Sequence, residues 1–418
     1  MSRLTKLLVI SLSVLVFCYV AIGFVLGQAT QNRPYRSLTV FSEVLQHIQQ
    51  DYVEEPNMPM VTAGALHGLL EALDPQSSYL SPQEYAEYKR RTDAPPKGEI
   101  GVTLSKRFGY VAVVSILPES PASRAGIRSG DILENIAGFS TREMSIGQAR
   151  MLLAGEPQTG VRVSVLRTGR SEPQELDVVR ANPVAPRIVV EKLEPGGVDG
   201  AVAYLKVPAF PQGKAEELRA RLTQLDKQGL RRLVLDLRDS ASGDVNEAVE
   251  AAKLFLEKGL ITTLRGQTVA RKDFRVETPG VAWEHSLVLL ISNGTAGPAE
   301  VLAAALAENK RAQTVGERTF GTASEQRVIT LEDGAAIILT VANFFSPAGK
   351  NIAAEGVTPQ VAVDDRSNES DEQVRVPLLE DPVVKKGLEA LARTPQTQVL
   401  PKAASNPRRN PALLADAA

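Results

Sequence analysis

The residue types that most often carry chemistry are scarce in this chain. There is one cysteine, Cys18, and there are three histidines, His47, His67 and His285. One cysteine forms no internal disulfide and supplies no thiolate zinc site. Three scattered histidines argue against a multi-histidine metal centre. They also leave a serine–histidine–aspartate triad only three candidate bases. His47 and His67 fall in helical patterns without a cluster of partners, and His285 precedes a strand. All three read as packing or surface residues. A hydrolase built on this sequence would use lysine as its base, or nothing. No metal and no cofactor are implied.

The 418 residues allow about two to four domains. The balance of 43% hydrophobic and 23% charged residues is that of a globular chain. A net charge of -2 gives no basic surplus for nucleic acid.

Residues 7–27, LLVISLSVLVFCYVAIGFVLG, carry no charge. Their length suits a membrane-spanning helix. Arg3 and Lys6 precede them, which favours a cytoplasmic amino terminus and a body beyond the membrane. The expectation is a single-pass inner-membrane anchor with the body in the periplasm or outside the cell. Gly27 and Ala29 keep a cleaved signal peptide open as the alternative.

The body must then position any site. Residues 37–93 read as helices. Leu38, Phe41, Leu45, Ile48 and Tyr52 recur at helical spacing, and residues 61–73 form a second amphipathic run. Ser81-Pro82-Gln83-Glu84 is a capping box that starts a third helix. Ala94-Pro95-Pro96 marks a boundary. Residues 97–182 turn to short strands, at 110–116, 132–136 and 161–166, with a helix at 145–153 stopped by Gly155. Ser120 and Pro121 open a one-turn helix that Gly126 closes. Residues 183–365 alternate strands (201–207, 233–237, 286–291) with helices (213–226, 245–256, 298–309) and add a hairpin at 328–330 and 337–341. Residues 366–418 read as a charged and then Pro/Ala/Asn-rich tail, partly disordered.

The stretch SPASRAGIRSGDIL, 120–133, resembles a PDZ domain of the circularly ordered type found in bacterial proteases. That resemblance implies a groove between a strand and a helix. A peptide adds there as an extra strand, its terminal carboxylate held by backbone amides. By position the holding loop is Gly98-Glu99-Ile100-Gly101-Val102.

Taken together, residues 37–363 resemble a C-terminal processing peptidase, or tail-specific protease. The motifs are LDPQSSYLSPQEY at 73–85, LVLDLRDSASG at 233–243, SNGTAGPAEVLAAAL at 292–306, VGERTFGTASEQ at 315–326 and FFSPAGKNIAAEGVTPQV at 344–361. The implied architecture is α+β and multidomain. An N-terminal transmembrane helix and a helical segment come first, then a PDZ domain placed before an α/β peptidase-like core. The implied chemistry is a serine nucleophile with a lysine base whose pKa burial lowers.

The motif positions depart from that chemistry. Gly297 stands where the nucleophilic serine belongs, and glycine has no side chain. Pro298 follows, where the family draws an oxyanion donor from the backbone; proline has no N–H. Thr322 occupies the lysine position, while Gln326 keeps the family's glutamine. Asp239-Ser240-Ala241-Ser242-Gly243 replaces Asn-Asn-Pro-Gly-Gly. The expectation is a membrane-anchored pseudopeptidase with no intact catalytic residue. It would bind protein C-terminal tails or unfolded segments, and regulate or scaffold proteolysis beside an active protease. An active serine endopeptidase with rearranged residues is the alternative, its candidate hydroxyls being Ser292, Thr295 and Ser324. A structural oligomer is the third reading.

Overall fold

The computed structural model describes residues 11–19, 37–94, 97–142, 144–195, 200–278, 280–363 and 376–393. The chain divides into two compact units, Met1–Leu66 and His67–Ala418. In the first, residues 11–19 and 37–51 are helical. The span expected at 7–27 lies outside the described residues except for 11–19. Among the described residues no helix is long and apolar enough to cross a membrane.

Helix α1, Met58–Glu71, replaces the run expected at 61–73. Strand β1, Ser78–Leu80, leads to α2, Pro82–Asp93. Ser81 and Glu84 close the capping box read from the sequence. Strands β2 (Val102–Arg107), β3 (Tyr110–Ile116), β4 (Ile132–Ile136), β5 (Phe139–Ser140), β6 (Gly160–Leu166) and β7 (Gln174–Val179) form one sheet, ordered β2-β3-β4-β6-β7 with β5 on β4. Helices α3 (Pro121–Arg124) and α4 (Ile146–Leu153) cover it. Leu104, Val113, Leu133, Val163 and Leu153 share its core. Strand β2 lies at the sheet edge, the place where a peptide could add.

The second sheet runs β17-β14-β13-β10-β9-β8. Its parallel strands are β9 (Val202–Lys206), β10 (Arg232–Asp236), β13 (Ser286–Ile291), β14 (Gln313–Gly316) and β17 (Val361–Ala362). Antiparallel β8, Val189–Leu193, closes one edge. Leu233, Leu235, Leu287 and Leu289 pack beneath α5 (Lys214–Lys227), α6 (Val245–Lys253) and α7 (Pro298–Glu308). Val234, Val288 and Leu290 point the other way. They meet Val384, Leu388 and Leu391 of α9, Pro382–Arg393. Burial on both faces is why these strands read as unbroken apolar runs.

Helix α9 corrects the reading of 366–418 as tail. Val384, Leu388 and Leu391 carry a helical period there, which the charged surroundings masked. A third sheet joins β1, β16 (Ala336–Phe345), β11 (Leu260–Arg265) and β12 (Lys272–Arg275), with β15 (Ser324–Thr330) paired on β16; the short helix α8 (Ile352–Glu355) follows β16. The hairpin expected from two short segments is thus longer on both arms.

Candidate functional site

The C-terminal ends of parallel strands are where loops of such sheets build sites. Here the turn 292–297 after β13, the loop 238–243 after β10 and the loop 317–323 after β14 meet. Ala296 N donates to Ser240 O at 2.9 Å, and Phe320 N to Thr295 O at 3.0 Å.

Gly297 caps α7 with φ 53° and ψ -116°. This is the sharp strand-to-helix turn that exposes a nucleophile in other hydrolases, in a region that residues with a side chain occupy only under strain. A Cβ added at Gly297 would meet only Ala241 O, at 3.5 Å. The turn leaves space for a side chain, and glycine supplies none. Pro298 suits the first helical position and is buried.

Glu300, in the first turn of α7, is fully buried. Its Oε1 accepts from Thr319 Oγ1 at 2.5 Å and Gly321 N at 2.6 Å. Its Oε2 accepts from Gly297 N and Thr322 N, each at 2.9 Å. Burial pushes the Glu300 carboxyl up to about 7, against the pull of the Thr319 hydroxyl and the three amides. Glu300 therefore ties the turn at Gly297 to the loop that carries Thr319, Gly321 and Thr322. Sequence reasoning gave it no role. The available signal was an acid three residues into a Gly-Pro helix start.

Thr322 is held by its amide. Beyond it, Ser324 Oγ donates to Thr322 O at 3.2 Å and accepts from Gln326 Nε2 at 2.8 Å. The Thr295 hydroxyl is fully buried and donates to Leu237 O at 2.8 Å. Ser292 Oγ, also buried, accepts from Gly294 N at 3.1 Å. Of the three candidate hydroxyls, only Ser324 is partly exposed.

In the loop 239–243, Asp239 adopts φ 59°. Ser242 O accepts from Phe210 N at 2.8 Å. Gly243 has φ 123°, and a Cβ there would meet Phe210 O at 2.2 Å, so this position requires glycine. Upstream, buried Arg238 pairs with Asp236 at 2.8 Å and with Asp381, at the start of α9, at 2.9 Å. Tyr204 Oη donates to Asp236 at 2.7 Å. Burial works against ionisation of Asp236, but Arg238, Lys206 and the Tyr204 hydroxyl hold its carboxyl down at about 2.

The PDZ strand β3 lies over this junction. Val114 is buried with Ala241 and Ala296, and Phe320 packs against them. Ser129 Oγ donates to Asp239 Oδ1 at 3.1 Å. A Cβ at Gly294 would fall 2.3 Å from Asp239 Oδ1 and 3.2 Å from Val114 O, so glycine permits the approach.

In the loop Gly98–Val102, the first two amides are spent: Gly98 N donates to Gly155 O and Glu99 N to Ala181 O, both at 2.9 Å. Gly101, at φ 78°, packs on Ser120. The amides of Ile100 and Gly101 have no partner among the described residues. Val102 begins edge strand β2. His285 accepts a structural place, 2.8 Å from Asp226 and edge-on to Trp283. His67 stands edge-on to Tyr79, and exposed His47 pairs with Asp51. Among the described residues no group of three His, Cys, Asp or Glu could hold a metal.

Fold and site together define a peptidase core of the S41 type carrying a PDZ domain. Residues 201–363 match the model of peptidase family S41, and residues 113–167 match a PDZ domain. The chain is 31% identical to the chloroplastic C-terminal processing peptidase of Tetradesmus obliquus, over 72% of this chain and 68% of the relative. It is 28% identical to the carboxy-terminal-processing protease of Bartonella bacilliformis, over 80% of this chain and 76% of the relative. Among solved structures, a photosystem II D1 C-terminal processing protease superposes with a TM-score of 0.65 at 27% identity, covering 78% of this chain and 92% of that one. The chain belongs to the carboxy-terminal processing protease family.

Proposed function

We propose that this chain binds protein C-terminal tails through its PDZ domain and does not cut them. The observation that carries the reading is Gly297: a nucleophile turn with the space for a side chain and none present. Pro298 supplies no oxyanion donor and Thr322 no base, so three groups of one mechanism are gone together. The amides of Ile100 and Gly101, beside edge strand β2 and without a partner among the described residues, suit a peptide carboxylate.

In this role the protein is a pseudopeptidase that regulates or scaffolds proteolysis, held at the inner membrane by residues 7–27 with its body in the periplasm. The apolar run and the preceding Arg3 and Lys6 support that placement.

The alternative, an endopeptidase with rearranged residues, rests on Ser324, whose hydroxyl is partly exposed beside Thr322. The test is incubation of the full chain with an unfolded protein bearing an apolar C-terminus. Retention of the tail without fragments is expected. Cleavage that disappears in Ser324→Ala would establish the alternative.

A further inference from the structure

Lys206 ends parallel strand β9, in register with Asp236. It therefore sits at the same end of the sheet as the three site loops. Its side chain is half-buried, and among the described residues its ammonium makes no hydrogen bond or ion pair. Asp236 feels its charge, but that carboxylate is already taken by Arg238 and Tyr204.

Lys206 lines two cavities between the PDZ domain and the core. One, of about 610 Å³, also has Glu99, Gly101, Arg124 and Arg187 in its wall. The other, of about 240 Å³, has Arg128, Ser129 and Asp239. The first cavity thus reaches the carboxylate loop and the second reaches the emptied active site. Lys206 stands on the boundary between them.

The charge around Lys206 favours an anion. Arg124, Arg187 and Lys206 outnumber Glu99 and Glu119 in the larger cavity. Burial raises the Glu99 pKa and so weakens the acid side of that balance. A carboxylate entering either cavity would give the Lys206 ammonium a charge-assisted hydrogen bond that no described residue supplies.

We propose that Lys206 is a binding residue for a carboxylate of the captured polypeptide, either its C-terminal carboxylate or an acidic side chain near that end. The inference rests on the tail-binding reading above. It adds a core residue to a site otherwise assigned to the PDZ domain alone.

The experiment measures anisotropy of a labelled peptide with an apolar, free C-terminus and one internal glutamate, added to the full chain. Lys206→Met should weaken binding about tenfold, the scale of a lost charge-assisted hydrogen bond. Lys206→Arg should stay within about threefold of wild type, because it keeps the charge. Two further peptides locate the carboxylate. If amidating the terminus removes the difference between wild type and Lys206→Met, the terminal carboxylate is the ligand. If replacing the glutamate by glutamine removes it, the side chain is.

Gly101→Val tests the underlying reading separately, since its Cβ would fall 2.4 Å from Ser120 Cβ at a positive φ. Should Gly101→Val abolish binding while Lys206→Met leaves all three peptides at wild-type affinity, Lys206 has no such role and PDZ capture stands. Should wild type bind none of the peptides, both proposals fall. Thermal unfolding of each variant shows whether a loss reflects misfolding.

Discussion

Gly297 and Thr322 donate their amides to the same oxygen of Glu300, at 2.9 Å each. The two positions that the resemblance gives to nucleophile and base are therefore held together by one buried carboxylate.

That clamp makes stability depend on pH. The Glu300 carboxyl titrates at about 7 in the folded chain and at 4.5 as its ordinary value. Between these values the folded state binds more protons than the unfolded one, so stability falls as pH rises through that window. Urea unfolding should show the chain more stable at pH 5 than at pH 8, with Glu300 contributing up to about 3 kcal/mol of the difference. Glu300→Gln should remove that contribution. An identical pH dependence in the variant would mean that Glu300 is ionised throughout.

Restoring the nucleophile alone should restore nothing. Gly297→Ser adds a side chain whose Cβ meets only Ala241 O, at 3.5 Å, but Pro298 and Thr322 still lack the donor and the base. The side chain also costs about 1–3 kcal/mol of backbone strain at φ 53°. Calorimetry should find the lower melting temperature, and a peptidase assay no cleavage. The triple change Gly297→Ser, Pro298→Ala, Thr322→Lys is expected to give measurable activity. Cleavage by the single variant would refute this account of the missing groups.

The PDZ domain should loosen from the core when Gly294 gains a methyl group. In Gly294→Ala the new Cβ would meet Asp239 Oδ1 at 2.3 Å and Val114 O at 3.2 Å. Limited proteolysis should then cut the connection 181–187 faster than in wild type. Ser129→Ala removes only the hydrogen bond to Asp239 and should have a smaller effect, about 0.5–1.5 kcal/mol. Equal protection of that connection in all three proteins would rule out this contact as a latch.

Asp381 should be a weak point of the fold. It pairs with buried Arg238 and also accepts from the amides of Val383 and Val384, capping α9. Asp381→Ala removes both roles and should cost about 2–4 kcal/mol in denaturant unfolding, because Arg238 keeps its pairing with Asp236. A loss below about 1 kcal/mol would leave only the cap as its contribution.

Much of this arrangement was legible in the sequence because it is local. Ser81 and Glu84, or Ser120 and Pro121, announce helix starts within four residues. Gly297, Pro298 and Thr322 could be placed because their flanking motifs fix the alignment. What escaped was non-local. Glu300 matters because three segments deliver donors to it. Arg238 matters because Asp381, far along the chain, comes back to it. Helix α9 was missed because its apolar stripe lies in a polar, charged stretch, and its partner face on the sheet is visible only after folding. Lys206 reads as an ordinary strand end until two cavities are seen on either side.

Helix α9 also sets an order of events during biosynthesis. Val234, Val288 and Leu290 belong to strands made long before residues 382–393 emerge. Until then Val234, Val288 and Leu290 lack the cover that α9 gives them. A nascent chain would show chaperones that bare apolar side, and aggregation would compete with its closure. Truncation before α9 would make this transient exposure permanent.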